Sequence, residues 1–445
     1  MALSSSVAVA EPRISWADGE GRFEDGGVVA EAAVVNLGPR GDIATGLPFL
    51  DHMVDQLTSH CQLGVSVVVT KDGVRCEPCV DASGEDDLVV ATAAGKALGE
   101  ALKQMLAPGV VALEAGEVPR DASCGVFSAP LDEAYSTCRL TVGPNDGGSL
   151  AFALAPYGPG AGRAKIGKYQ TALTEPFWRA VVESSGLGLD LRKHRGDNAH
   201  HIVEATFKSF ARCLRATMDQ MEGIDVVSAN EPAPGPRSAS RARSTKETTI
   251  DVTLDLDGDA AASAVSTGIA TLDGLLREVA AEGGVDLRVD ATGDLWIDDH
   301  HTTEDVAITV GQVLNEALGN KAGCNRMGRA VAAVAEGRDA EEGAEGAATV
   351  EVVMDLSNRP YLANGLEFRD EFIGDLSAEM IDHLFMSIAA NGQMTVHVVA
   401  HGNGANDADL ATAAARAFGR CLRQCIAVDP RRAGAVASSK GTLSV

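Results

Sequence analysis

Aromatic residues are scarce in this chain, at 4%, so any core must rest on Ala, Val, Leu and Ile rather than on rings. No run approaches the roughly 18 uninterrupted apolar residues of a membrane helix, so no membrane partner is expected. Positive charge is short too: 37 Lys and Arg stand against 63 Asp and Glu, a formal net charge of −26. That balance argues against nucleic acid or an anionic membrane as the main partner. It would also repel a phosphorylated substrate at long range, so a phosphate site needs its own local Arg and Lys. The nine cysteines are scattered and odd in number, which suits a reducing compartment better than a disulfide framework. Cys76-Glu-Pro-Cys79 has no second CxxC or CxxH beside it and reads as a loop with two free thiols, not a zinc site.

What is present is a globular composition. Its 445 residues, 45% of them hydrophobic, suffice for two or three domains. The start, Met-Ala-Leu-Ser-Ser-Ser, is similar to that of a plastid transit peptide but is short and lacks Arg; cytoplasm and plastid stroma both stay open. Residues 228–242, rich in Ser, Ala, Pro and Arg, read as a linker. The same order of elements appears on either side of it. Thr45-Gly-Leu-Pro-Phe-Leu-Asp-His52-Met matches Thr267-Gly-Ile-Ala-Thr-Leu-Asp-Gly274-Leu, and Phe210-Ala-Arg-Cys-Leu-Arg215 matches Phe418-Gly-Arg-Cys-Leu-Arg423. Two homologous modules follow, 1–227 and 243–445. Each is doubled internally as strands, helix, strand, helix, an α+β sandwich of sheet and helices. Residues 336–348 read as a disordered acidic loop with no catalytic role.

The sharpest chemical signals are two His-His-x-x-Glu clusters, His200, His201, Glu204 and His300, His301, Glu304, each opening an amphipathic helix. Residues three or four apart share a helix face, so His300 and Glu304 can grip one ion. The adjacent His301 points about 100° away and suits a second ion. The same holds for His200, His201 and Glu204. Imidazole with carboxylate suits Mn, Fe or Zn, and the absence of Cys weighs against a structural zinc site. The bland reading, a solvated helix start, is weakened by two such clusters in a chain with ten His.

These segments, with Asp355-Leu-Ser-Asn-Arg-Pro-Tyr-Leu362 and Ser438-Ser-Lys-Gly441, resemble the signature sequences of imidazoleglycerol-phosphate dehydratase over nearly the whole chain. The resemblance implies a ribosomal-protein-S5-domain-2-like fold duplicated in each module. It also implies a dinuclear Mn²⁺ site at subunit interfaces, with Fe or Zn as alternative metals, and a large symmetric homo-oligomer built of trimers. The family draws metal ligands from four places. Module one keeps His52 at the first and His200, His201 and Glu204 at the fourth. It reads Gly84-Glu-Asp-Asp-Leu88 at the second and Pro176 at the third. Module two reads Gly274 at the first, keeps His300, His301 and Glu304 at the second and His383 at the third, and has Asp407-Ala-Asp-Leu-Ala-Thr412 at the fourth. Each place survives once, so the two modules are expected to build one site as opposite walls.

The resemblance further implies phosphate contacts at Arg326, Arg359, Ser438 and Lys440, and substrate contacts at Gln56, His60 and Glu247. The implied reaction is dehydration of imidazole glycerol phosphate to imidazole acetol phosphate in histidine biosynthesis. Metal-bound imidazole would accept electron density as the carbon proton leaves. Glu247, Glu204 and Glu304 are the candidate acid–base groups, and carboxylates that bind metal are the poorer bases. The rival readings are a metal-binding shell protein without turnover and a generic dinuclear metallohydrolase. Asp255-Leu-Asp-Gly-Asp resembles a phosphatase nucleophile motif, but no further phosphatase motif accompanies it.

Overall fold

One unit recurs along the chain in a computed structural model, which describes residues 14–76, 85–143, 148–229, 235–404, 406–432 and 434–443. An antiparallel hairpin is followed by a short third strand, a helix, a fourth strand and a second helix. The fourth strand pairs between the hairpin and the third strand and runs parallel to the third. Parallel neighbours require a crossover, and the intervening helix supplies it.

The first unit holds strands Gly19–Asp25, Val28–Asn36, Ile43–Ala44 and Leu63–Lys71, with helices α1 (Pro48–Cys61) and α2 (Glu85–Glu114). The second holds Cys124–Leu131, Ala134–Thr141, Ser149–Ala153 and Gly188–Arg195, with α3 (Thr174–Ser185) and α4 (Ala199–Glu222). A short helix, α5 (Val226–Ala229), precedes the third unit. That unit holds Ser238–Ser244, Thr248–Asp255, Ala264–Ser266 and Asp286–Gly293, with α6 (Ala270–Gly283) and α7 (His300–Leu318). The fourth holds Met327–Ala335, Ala348–Asp355, Tyr361–Asn364 and Thr395–Asn403, with α8 (Glu379–Asn391) and α9 (Asp407–Ile426).

The duplication reaches individual hydrogen bonds. Asp51 Oδ1 accepts from the backbone N–H and hydroxyl of Thr45 at 2.8 and 2.5 Å, and Asp273 Oδ1 does the same for Thr267 at 2.9 and 2.7 Å. These bonds fix the entry to α1 and α6 in the same way. Helices pair within modules: α1 with α4 and α2 with α3, then α6 with α9 and α7 with α8. Each pair takes one helix from each unit of its module.

Apolar alternation sets which sheet faces are covered. Strand Thr248–Asp255 is buried at every second residue, whereas Ala348–Asp355 is buried throughout. The second face of the latter packs on Cys124–Leu131 of module one. This seam between modules is polar: Glu351 accepts from Tyr135 (2.9 Å), Ser128 (3.2 Å), Arg329 (2.9 Å) and His401 (2.9 Å).

Two sequence expectations need correction. The 228–242 linker is not wholly irregular, because Ser238–Ser244 pairs along its length with Thr248–Asp255. The turn at Thr245–Thr248 closes a hairpin that the Ser/Arg composition conceals. The acidic loop also has a defined course. Arg338–Asp339 pairs with Val334–Ala335, and the N–H groups of Glu336 and Gly337 donate to Asp409 at 2.9 and 2.7 Å. One of its charges is partnered, since Asp339 takes Arg416 and Arg420. Cys79 lies outside the described residues.

Candidate metal centre and phosphate pocket

On α4 the residues Glu204, Lys208, Arg212, Arg215 and Asp219 follow one another at helical spacing and are all buried. An Asn198 cap accepts the His200 N–H at 2.9 Å and starts the helix so that His200 and Glu204 share a face. α1, begun by Pro48, brings His52 beside them. His200 Nε2 lies 2.9 Å and His52 Nε2 3.4 Å from Glu204 Oε2. Donor atoms of the three residues lie within 4.8 Å of one another.

A second group has the same composition. His300, Glu304 and His383 also bring donor atoms within 4.8 Å of one another, on α7 and α8. The buried Nδ1 of His383 has no hydrogen-bond partner among the described residues. Two imidazoles and a carboxylate so placed fit a divalent ion.

His201 and His301 belong to neither group. The ring of His201 meets Glu133 Oε2 through Nδ1 at 2.8 Å, and that of His301 meets Asp294 Oδ2 through Nδ1 at 3.1 Å. A carboxylate on Nδ1 orients the ring and leaves Nε2 for a metal, a common arrangement behind ligating histidines. Glu133 and Asp294 were not legible in the sequence: Glu133 sits in a hairpin turn 68 positions from its partner.

Electrostatics favour a charged ligand set. Burial works to raise the Glu204 carboxyl, but the Lys208 charge and hydrogen bonds from His200 and His52 outweigh it and hold it well below the usual range. Lys208, 3% exposed, is 2.7 Å from Glu204 Oε1. It was missed in the sequence, although its place one turn after Glu204 on an apolar helix was a usable signal.

Beside the first group opens a cavity of about 380 Å³. Module one lines it with His52, Gln56, His60, His200, His201, Glu204 and Lys208, and module two with Arg326, Arg359, Ser438 and Lys440. Unspent hydrogen-bonding atoms surround it: Gln56 Oε1, both ring nitrogens of His60 and Arg359 Nη2 are buried without partners among the described residues. Arg359 is steered by Asp132, 2.6 Å from its Nε. Arg326 pairs bidentately with Asp355 at 2.6 and 2.8 Å and donates to Ala437 O at 2.7 Å, so it also anchors the segment carrying Ser438. Burial, then the charges of Arg326 and Lys208, push His60 well below its ordinary value, so its ring is neutral.

His300, Glu304 and His383 do not line this cavity, and no described ligand group joins the two sets. Glu247 is exposed in the turn of the third unit's hairpin. Its charge acts on His301, which puts it with the second group.

The model of the family described as imidazoleglycerol-phosphate dehydratase matches residues 45–214 and again 267–422. The chain is 44% identical over 178 residues to the imidazoleglycerol-phosphate dehydratase of Prochlorococcus marinus (strain MIT 9313), covering 40% of this chain and 79% of that protein. It is 43% identical over 177 residues to that of Microcystis aeruginosa (strain NIES-843 / IAM M-2473), again 40% of this chain and 79% of that protein. Among solved structures, the dehydratase of Staphylococcus aureus subsp. aureus N315 aligns with TM-score 0.37 and 26% identity over 43% of this chain and 99% of that one. The enzyme from Pyrococcus furiosus in complex with (S)-C348 gives TM-score 0.37 and 29% identity over 45% and 99%. The family model covers most of the chain in two successive matches, and the chain belongs to the imidazoleglycerol-phosphate dehydratase family.

Proposed function

We propose that this chain, a carbon–oxygen lyase of histidine biosynthesis, dehydrates imidazole glycerol phosphate at a composite site whose two ligand walls come from different modules. His52, His200, His201 and Glu204 form one wall, and His300, His301, Glu304 and His383 the other. The observation that carries this reading is the single cavity in which module one's ligand group meets the Arg and Lys of module two. The second ligand group stands outside that cavity, so we assign the facing wall to another copy of the chain in a symmetric homo-oligomer.

Two divalent ions per composite site, Mn²⁺ first among the candidates, would supply Lewis acidity to the imidazole ring. The chain's own residues do the rest. Arg359, Lys208, Ser438 and Lys440 hold the phosphate, with Arg326 fixing the segment that carries Ser438. Charge-assisted bonds of this kind are the strong ones. Neutral His60 and Gln56 offer their unpaired ring nitrogens and amide oxygen to the glycerol hydroxyls. Glu247, whose exposed carboxylate is bound to no other side chain among the described residues, takes the carbon proton and passes it to the departing hydroxyl, which leaves as water; Glu204 and Glu304 are engaged with their histidines.

The first test is an assay of purified chain for dehydration of imidazole glycerol phosphate with and without Mn²⁺. Metal-dependent turnover is expected, and bound metal without turnover would leave a shell protein. The second test mixes two inactive variants, His200→Ala and His300→Ala. If walls come from different chains, random mixed assembly restores about one quarter of wild-type activity. No recovery in reassembled mixtures would place both walls in one chain.

A further inference from the structure

Arg212 is the odd member of the buried stripe on α4. Glu204 and Lys208 pair with each other, and Arg215 is held by Asn36 Oδ1 at 3.0 Å and by Asp219 at 3.4 Å. Arg212 is 9% exposed and makes no hydrogen bond or ion pair with any described residue. Its Nε is buried without a partner, and its guanidinium lies 5.4 Å over the ring of Phe127. The nearby carboxylates are already committed. Asp219 takes Arg431 Nη1 and Nη2 at 2.6 and 2.8 Å, and Asp429 takes Arg431 Nε at 2.9 Å and the Gln62 amide. Arg432, itself buried with Nε and Nη2 unpartnered, adds a further charge and is pushed down to about 9 by burial and by Arg212.

The repeat provides an internal control. In the matched motif of module two the same position is Arg420, which pairs bidentately with Glu282 at 2.8 and 3.0 Å and also meets Asp339. A buried guanidinium left without direct partners is costly; module two satisfies it from within, whereas among the described residues of module one Arg212 feels Asp219 only through its charge.

Arg212 borders a second cavity, of about 460 Å³, between α4, α5 and module two. It is not among the residues lining the metal and phosphate cavity. Arg215 and Arg329 also line it, but both are partly engaged, Arg329 with Glu351. Asp219, Asp225 and Asp429 share the wall, which disfavours a dianion such as phosphate. Asn325 and Gln424 offer amides, and Phe127, Ile224 and Val227 offer an apolar wall.

We infer that this cavity is a second ligand site, separate from the metal and phosphate pocket, which takes a small monocarboxylate with an apolar body and seats its carboxylate on Arg212. The probe is isovalerate, with uncharged isovaleramide as control, titrated calorimetrically into the full chain. One isovalerate per chain should bind, and isovaleramide should not. Arg212→Gln should weaken binding about tenfold or more, the loss of a charge-assisted pair. Ala216→Trp, at an exposed position on the cavity wall, should block it with the fold intact by circular dichroism. Arg359→Gln, in the phosphate pocket, should leave it unchanged. Equal binding of the amide, isovalerate binding that survives both Arg212→Gln and Ala216→Trp, loss of binding in Arg359→Gln, or no binding at tens of millimolar would each overturn the proposal.

Discussion

The helix pairs α1–α4 and α6–α9 occupy matched places in their modules and have met opposite fates. In the first, α1 carries His52, Gln56 and His60, and α4 carries Glu204, Lys208 and Arg212. The matched positions of the second are Gly274, Glu278 and Glu282 on α6, and Thr412, Arg416 and Arg420 on α9. There the cations are neutralised. Arg416 grips Glu278 at 2.8 and 3.0 Å and Arg420 grips Glu282 at the same distances. The lost site is therefore closed by structure, not left as a hole. The retained site keeps the Gln56 and His60 side chains uncharged beside its cations, so positive field remains for an incoming anion in a chain of net charge −26. The other lost place is also reused. Asp407, where module one has the His200 segment, now accepts the N–H groups of Arg369 and Asp370 at 2.6 and 2.8 Å.

The comparison also revises how the losses are counted. In sequence, four ligand places each survive once. In space they form two helix-pair sites per module, so ligands were kept or lost as pairs: His52 with His200 and Glu204, His383 with His300 and Glu304.

The division of labour can be broken in several ways. The largest effect is expected at the proposed base: Glu247→Gln should lower kcat about a thousandfold or more with metal content unchanged. Retained turnover would remove Glu247 from the chemistry. Next, Lys208→Ala should cost about 2 to 4 kcal/mol in kcat/KM, since it strips a charged contact and unpairs buried Glu204. Arg416→Ala, its counterpart in the closed site, should leave kcat/KM within about twofold; a comparable loss in both would mean that the closed pair still takes part.

At the seam, His397 Nε2 donates to Asp132 O (2.8 Å), and burial pushes the imidazole down to about 4. Its folded value lies below its unfolded one, so the unfolded chain takes up the proton first on acidification. Stability is therefore complete above about pH 6.5 and is lost progressively down to about pH 4, by at most about 3 kcal/mol. Chemical-denaturation curves across that range should flatten in His397→Gln; an unchanged slope would assign the acid sensitivity elsewhere. The smallest effect is expected at Glu282→Gln, which leaves Arg420 half-paired and should destabilise by about 1 to 2 kcal/mol in thermal melts with kcat unaltered.

Much of the candidate site was legible because its candidate ligands recur at helical spacing. His200 with Glu204 and His300 with Glu304 are four residues apart on one helix face, and the repeat exposed what each module lacks. The paired motifs also foretold the doubled modules and the order strands, helix, strand, helix. The helix starts were readable to within a residue or two from the His-His-x-x-Glu clusters, and in the structure Asn198 and Asp298 accept the N–H groups of His200 and His300. Positions fixed by distant contacts were not legible. Glu133 behind His201, Asp132 behind Arg359 and the strand hidden in a Ser/Arg-rich linker depend on partners that local pattern does not name.

By itself, then, the amino-acid sequence determined the chemistry available: two sets of imidazole and carboxylate, one set of cations, and their allotment to two halves. Tertiary structure alone decided which of these share a cavity. It joined module one's imidazole and carboxylate set to module two's cations, left the second set outside, and gave Arg212 no hydrogen-bond partner among the described residues while pairing Arg420. The physical reason is that helix spacing is local, whereas the compensation of a buried charge depends on which surface folds against it.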